Sequence, residues 1–249
     1  MDILKVSNIT KSFDSRTIIK NISLTVKKGE IIGLLGVSGC GKTTLFNSIS
    51  GIDVPDSGKI ELAGKDITGK PGHISYMLQK DLLLPYKKII DNVSLPLTLS
   101  GMKKKEAHRR ALEYFAQFGI EDTEHKYPSE LSGGMRQRAA LLRTYLASKG
   151  VALLDEPFSA LDTITKHSMH SWYLDVMEKI ELSTIFITHD IDEAIILSDR
   201  ILIMSGSPGN ITDEIIITTP KPRGNDFNLT SEFIEYKKRI ISSIGVTNY

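Results

Sequence analysis

The sequence predicts an α/β fold: a mostly parallel sheet, a smaller antiparallel β subdomain and an inserted α-helical subdomain. Three observations carry that expectation. Runs that are apolar throughout recur at residues 31–35 (IIGLL), 151–154 (VALL), 185–187 (IFI) and 201–204 (ILIM), and strands buried on both faces belong to parallel sheets covered by helices. Segments of helical spacing lie between those runs. In the first third the pattern alternates instead, the mark of half-buried antiparallel strands.

In chain order, residues 3–9, 17–26 and 59–62 read as the antiparallel strands, and 73–78 (HISYML) as a further strand. Helices are expected at 42–50, 103–117, 134–147, 163–179 and 191–197. The stretch from about 82 to 126 is helical in pattern and rich in lysine, and it separates two groups of strands. The expected organisation is therefore a core with its β subdomain at 1–80 and 150–220, a helical subdomain at 81–149, and a tail at 221–249. Helical spacing of Phe233, Ile234, Ile240, Ile241 and Ile244 suggests that the tail packs on the core.

The 249 residues carry 31 basic and 30 acidic side chains, a formal net charge of +1. That balance gives no bulk electrostatic case for nucleic acid or an anionic membrane. One cysteine, Cys40, leaves no internal disulfide and fits a reducing compartment. The opening MDILKVSNITKSF lacks the layout of a signal peptide, and no apolar run approaches the roughly 18 residues that span a bilayer. The expectation is a soluble, cytosolic chain. Any membrane part must come from another chain.

The run GVSGCGKTT directly follows the apolar strand at 31–35: Gly36, Val37, Ser38, Gly39, Cys40, Gly41, Lys42, Thr43 and Thr44. Its G-x-x-x-x-G-K-[ST] spacing is that of a phosphate-binding loop. Glycines let successive backbone N–H groups turn inward around a phosphate, and the following helix adds its positive end. Lys42 is suited to the β- and γ-phosphates of ATP and Thr43 to Mg²⁺. Cys40 reads as a small residue rather than a redox group.

At the end of the next apolar run, VALLDEP sets Asp155 and Glu156 where ligands of parallel sheets sit. Asp155 suits a Mg²⁺ ion and Glu156 suits an attacking water. Alone, Asp-Glu-Pro is equally a strand-ending turn.

Residues 131–137 read LSGGMRQ. Ser132, Gly133 and Gly134 precede a helix and make a second anion-binding turn, which one nucleotide needs only if two protomers share it. Here the sequence resembles the ABC ATPase family, whose LSGGQ-like signature lies between the phosphate loop and the acidic strand. The remaining family elements follow in order over residues 3–217. Gln79 resembles the Q-loop glutamine, a further Mg²⁺ contact. Residues 159–162, Ser159-Ala160-Leu161-Asp162, resemble the D-loop, and His189 after IFIT resembles the switch histidine. Phe13 lies where the family stacks an aromatic on adenine, although taken alone it reads as core.

The resemblance implies a P-loop NTPase core of ABC type, an ATPase that pairs head to tail with a second copy of itself. Lys42, Gln79, Glu156 and His189 would be the catalytic residues. Two ATP molecules would lie between the phosphate loop of one copy and Ser132–Gly134 and Asp162 of the other.

Finer wording, DEPFSALD at 155–162 and LLPY after Gln79, resembles importers of the nitrate/sulfonate/taurine/bicarbonate group and their thiamine-precursor relatives. Importers imply integral-membrane permease subunits, an extracellular solute-binding protein acting indirectly, and a place on the cytoplasmic face of the membrane. Leu82 to Tyr86 is expected to line the groove that receives the permease. Ser207 and Asn210 stand where that group has arginines, and TYLASKGVALL at 144–154 departs from the usual wording. The other readings are the ATPase of an exporter or lipoprotein-release system, a non-transport ABC protein, and a small-molecule kinase. The second would call for a coiled coil, a fused cassette or a basic arm, and the third has no use for LSGGMRQ. No residue here encodes the solute.

Overall fold

The chain opens with a hairpin. Strand β1 (Asp2–Phe13) turns at Asp14 and Ser15, both at positive φ (47° and 65°), into antiparallel β2 (Arg16–Lys27). Two left-handed residues are what a tight hairpin of right-twisted strands requires. The computed structural model describes residues 1–159, 161–221, 223 and 226–245, with backbone alone at 163, 164 and 167. Ala160, inside the D-loop-like segment, lies outside the described residues.

After the hairpin come β3 (Ile31–Gly36), α1 (Lys42–Ser50), β4 (Ser57–Leu62), β5 (Lys65–Asp66) and β6 (Ser75–Met77). Between residues 81 and 149 the regular elements are all helices: α2 (Ile89–Val93), α3 (Leu95–Leu99), α4 (Lys104–Leu112), a short 3₁₀ turn and α5 (Gly133–Ala147). Then follow β7 (Val151–Asp155), α6 (Thr163–Ile180), β8 (Ser183–Ile187), α7 (Ile191–Leu197), β9 (Arg200–Ser205), β10 (Asn210–Ile216) and α8 (Ser231–Ile244).

Two sheets result. The smaller has the order β2-β1-β4-β5 and is antiparallel; the larger runs β10-β9-β3-β8-β7-β6. Every pair in the larger sheet is parallel except the edge strand β10 on β9. The α/β architecture expected from the apolar runs is the one observed. All five residues of β8 are buried, as a central parallel strand covered on both faces must be.

Three apolar clusters hold the layers together. One joins the two sheets through Leu4, Ile9, Ile32, Leu34 and Phe46. A second packs α5 and α6 on the larger sheet through Leu141, Leu154, Phe158 and Tyr173. The third seats the tail: Phe233 and Ile240 of α8 bury against Ile195, Ile203 and Ile215, with Ile244 packed against them, whereas Ile234 of the expected apolar set is exposed.

Four elements differ from expectation. The helix expected to reach 117 ends at Leu112, because Tyr114 and Phe115 donate to the carbonyls three residues back instead of four. That tightening into 3₁₀ geometry turns both Phe115 and Phe118 into the core. Strand 73–78 shortens to β6, an edge strand paired only with β7 over Ser75–Met77. Neither β10 nor the two-residue strand β5 is among the strands expected from the sequence.

Candidate active site

The phosphate-loop segment leaves β3 at Gly36 and enters α1 at Lys42. Gly39 and Gly41 take φ of +80° and +97°, conformations open to glycine and costly for other residues. The close approach behind them is also specific. A Cβ on Gly36 would lie 2.2 Å from the Met204 carbonyl oxygen, and one on Gly41 would lie 2.5 Å from Ile19 Cγ2. Cys40 is buried in the inter-sheet core, whereas Val37, Ser38 and Gly39 are exposed. The Lys42 ammonium donates to the carbonyls of Gly36 (2.8 Å) and Val37 (3.1 Å), so its charge lies over the loop. Thr43 and Thr44 begin α1, Thr43 exposed and Thr44 half-buried.

Facing that loop is the end of β7. Burial pushes the Asp155 carboxyl up from the ordinary carboxylate range, with a push from Glu156; a hydrogen bond from Tyr76 and the charge of Lys42 oppose it. Glu156 follows at φ +47°, a left-handed conformation that a non-glycine residue holds only when its surroundings fix it. What fixes it is visible. Its backbone N–H donates to Ile187 at the end of β8 (3.0 Å). Gln79 Nε2 donates to its Oε2 (2.8 Å), and His189 Nδ1 lies 3.2 Å from its Oε1. Three residues from three loops, 77 and 33 positions away from Glu156 on either side, meet on one carboxylate.

The signature-like turn is built as a helix start. Ser132 caps α5, its hydroxyl accepting from the Met135 N–H at 3.3 Å. Asp162 caps α6 in the same way, accepting from the Thr165 N–H at 3.0 Å. Among the described residues, no hydrogen bond joins either cap to the phosphate loop or to Glu156. Phe13, at the hairpin end of β1, is an exposed aromatic with Lys11 Nζ 5.0 Å from its centroid.

A family model described as "ABC transporter" matches residues 19–159. The chain belongs to that family. This ABC cassette is similar, at 45% identity over 208 residues, to the formylaminopyrimidine import ATP-binding protein ThiZ of Halalkalibacterium halodurans, covering 83% of this chain and 81% of that one. It is 35% identical over 249 residues to the nitrate import ATP-binding protein NrtD of Synechocystis, covering 96% and 94%. Among solved structures it resembles the dimeric post-hydrolysis state of the ATP-binding cassette MJ0796 bound to ADP and Pi. That likeness has a TM-score of 0.73 and 27% identity, over 87% of this chain and all of the other. The cassette is an ATPase of this family, with the mixed-sheet fold of its structural relatives.

Two contributors to the ABC site escaped sequence reasoning. Tyr76, on β6, donates its hydroxyl to Asp155 Oδ2 at 3.3 Å and packs its ring edge-on against Phe46 of α1. Alternation within HISYML was the available signal, because it places Tyr76 on the face opposite Ser75 and Met77. Gly209 lies behind the phosphate loop, where a Cβ would come 1.8 Å from the Cys40 carbonyl oxygen. No spacing rule links two positions so far apart in the chain.

Proposed function

We propose that the cassette is the motor of an importer. It would pair head to tail with a second copy, hydrolyse ATP with Mg²⁺, and drive a small solute through integral-membrane permease subunits. Its place would be the cytoplasmic face of the membrane, with an extracellular or periplasmic solute-binding protein acting indirectly. The names of the relatives above support the import direction. The observation that carries the catalytic part is the Glu156 carboxylate held between Gln79 and His189.

The donor set fits Mg²⁺. No group of three or more His, Cys, Asp or Glu converges among the described residues, so the cassette offers no closed cage. Asp155, the Thr43 hydroxyl and the Gln79 amide would hold an ion of the kind that keeps much of its water. When bound, the ion neutralises phosphate charge as a Lewis acid.

The protein's own residues have distinct tasks. Backbone N–H groups of the loop from Gly36 to Thr44, with Val37, Ser38 and Gly39 at its tip, would surround the phosphates at the start of α1. Lys42 would exchange its two carbonyl partners for β- and γ-phosphate oxygens. Glu156 would orient the attacking water and take its proton, while Gln79 and His189 hold that carboxylate and His189 meets the γ-phosphate. Charge placement of this kind supplies most of the catalysis of phosphoryl transfer. Phe13 would stack on adenine.

Gly133 and Gly134 support the pairing. A Cβ on either would meet its own chain no closer than 3.8 and 3.6 Å, ordinary contact distances. Own-chain packing therefore has no need of glycine there, although glycine weakens a helix start. What needs the room comes from outside the protomer, and a nucleotide bound by the second copy is such an object. Ser132 precedes these glycines, and Leu161, beside Asp162, is the nearest neighbour of Gly133.

Glu156→Gln is the test. Turnover should fall about 10²–10⁴-fold, the usual range for loss of a general base. ATP binding and ATP-dependent dimerisation, read by gel filtration, should persist. Hydrolysis at the wild-type rate would remove Glu156 from the mechanism.

A further inference from the structure

We infer that Lys166 is a positioning residue for His189: its ion pair with Asp190 fixes the backbone turn that aims the imidazole at Glu156. This rests on the ATPase site described above and adds a residue that neither the loop nor the signature contains.

His189 has little to hold it. Its side chain is 68% exposed and touches Glu156 at 3.2 Å. It lies between Thr188, which ends the β8 side, and Asp190, the cap of α7. Its direction is therefore set by those two neighbours. Asp190 is well anchored: its N–H donates to Thr188 Oγ1 (3.0 Å) and its Oδ1 accepts from the Glu193 N–H (3.1 Å). Its other carboxylate oxygen, Oδ2, takes the Lys166 ammonium at 2.7 Å. The same ammonium lies 3.1 Å from Glu193 Oε2.

The placement of this lysine is informative. Lys166 stands one turn into α6, its N–H bonded to the Asp162 carbonyl at 2.8 Å. A cation near a helix N-terminus opposes the helix dipole, so α6 gains nothing from it. The benefit is across to α7. There two carboxylates face each other, and Glu193 is only 2% exposed with Oε1 unpartnered. The Lys166 side chain is itself 18% exposed and that of Asp190 34%, so the pair is partly shielded from solvent. Burial alone would raise the Asp190 carboxyl; Lys166 and the α7 N–H groups hold it below its ordinary value. Without Lys166 the two carboxylates that share its ammonium repel one another, one of them on the residue next to His189. His170, one turn further along α6 with Nε2 3.5 Å from Glu193 Oε2, is too distant to replace the ammonium.

A second consequence concerns α6. Its cap is Asp162, so Lys166 ties the segment containing Asp162 to the segment containing His189.

The test is a double-mutant cycle on the full chain, read by single-turnover ATP hydrolysis so that slow variants remain measurable. Lys166→Met should lower the rate about 10- to 100-fold, the scale of a misplaced catalytic group, with the KM for ATP nearly unchanged. Lys166→Arg should recover most of the rate. In a His189→Ala background, adding Lys166→Met should cost less than about twofold, because residues acting as a unit are not additive. Asp190→Asn keeps an oxygen for the Glu193 N–H and removes the ionic partner. It serves as the second arm where Lys166→Met fails to fold, and should show the same loss and the same non-additivity. Full multiplication of either loss with that of His189→Ala overturns the proposal, as does a loss expressed in KM alone. Wild-type turnover by His189→Ala would instead remove the role of His189, and the positioning role with it; the Glu156→Gln result stands apart from both.

Discussion

Gly209 shows how one residue far from a site can decide its shape. Its N–H donates to the Ile18 carbonyl (2.7 Å) and its own carbonyl accepts from Lys20 (3.0 Å), which presses the turn after β9 against β2 and the back of the phosphate loop. The space left for a side chain is nil, since a Cβ would stand 1.8 Å from the Cys40 oxygen. Gly209→Ala must push that turn or the loop aside, a change that costs about 1–3 kcal/mol when a packed site is overfilled. A melting temperature lower by roughly 2–4 °C per kcal/mol is expected for a chain of this size, together with weaker nucleotide binding. A fluorescent ATP analogue and a thermal melt read the two effects. Unchanged binding would show that the loop does not lean on Gly209. The contrast with Lys42 is physical. Residues that act on a ligand through a local loop carry their chemistry in short spacing and were legible; a residue that acts by being absent at a distant contact leaves no such trace. Tyr76 lies between these cases, on a strand that was recognised but with a partner 79 positions away.

Elements show the same division. β7, β8 and α1 were legible because burial on two faces and a glycine–lysine helix start each impose a local pattern. The region before α5 was less so, because it is held by one buried side chain rather than by periodicity. Asn92, fully buried in α2, accepts from the Leu84 N–H (2.7 Å). Its amide donates to the carbonyls of Leu84 (3.1 Å), Lys87 (3.0 Å) and Lys88 (3.2 Å). It acts as a knot for the loop between Gln79 and α2. Asn92→Leu would take the side-chain partner from the half-buried Leu84 N–H and Lys87 carbonyl, whereas the Leu84 and Lys88 carbonyls keep the N–H groups of Lys87 and Asn92. The cost is about 1–3 kcal/mol for a group left unsatisfied. The variant should unfold at lower urea, and amide exchange at Leu84 and Lys87 should rise ahead of exchange in β7 and β8. Protection unchanged at Leu84 would show that the loop is held otherwise. β10 was missed for a different reason: NITDEII is acidic, and an edge strand exposed on one face need not be apolar.

At the scale of the molecule, the loop knotted by Asn92 leads to a surface where the motor would meet its permease. A cleft of about 170 Å³ is lined by Tyr76, Leu78, Lys80, Leu82, Pro96 and Arg143, among others. Of the segment 82–86 expected to line such a groove, only Leu82 does so; Leu83 turns into the core, and Tyr86 is exposed outside it. The segment is no strand: the left-handed Leu82 and the turn at 85–86 send neighbouring side chains in different directions. Leu82 is itself held at φ +44°, with its carbonyl accepting from Arg143 of α5 at 2.9 Å. A half-exposed leucine fixed in a costly conformation, three residues beyond Gln79, suits transmission from an apolar partner to the Gln79–Glu156 contact. Leu82→Glu should therefore abolish solute uptake in proteoliposomes with the permease, while ATPase of the isolated cassette stays within about twofold, as expected when no buried group is disturbed. Tyr86→Glu should weaken uptake less, because it lies beside the cleft and not in it. Uptake by Leu82→Glu at the wild-type rate would move the permease contact elsewhere on the cassette.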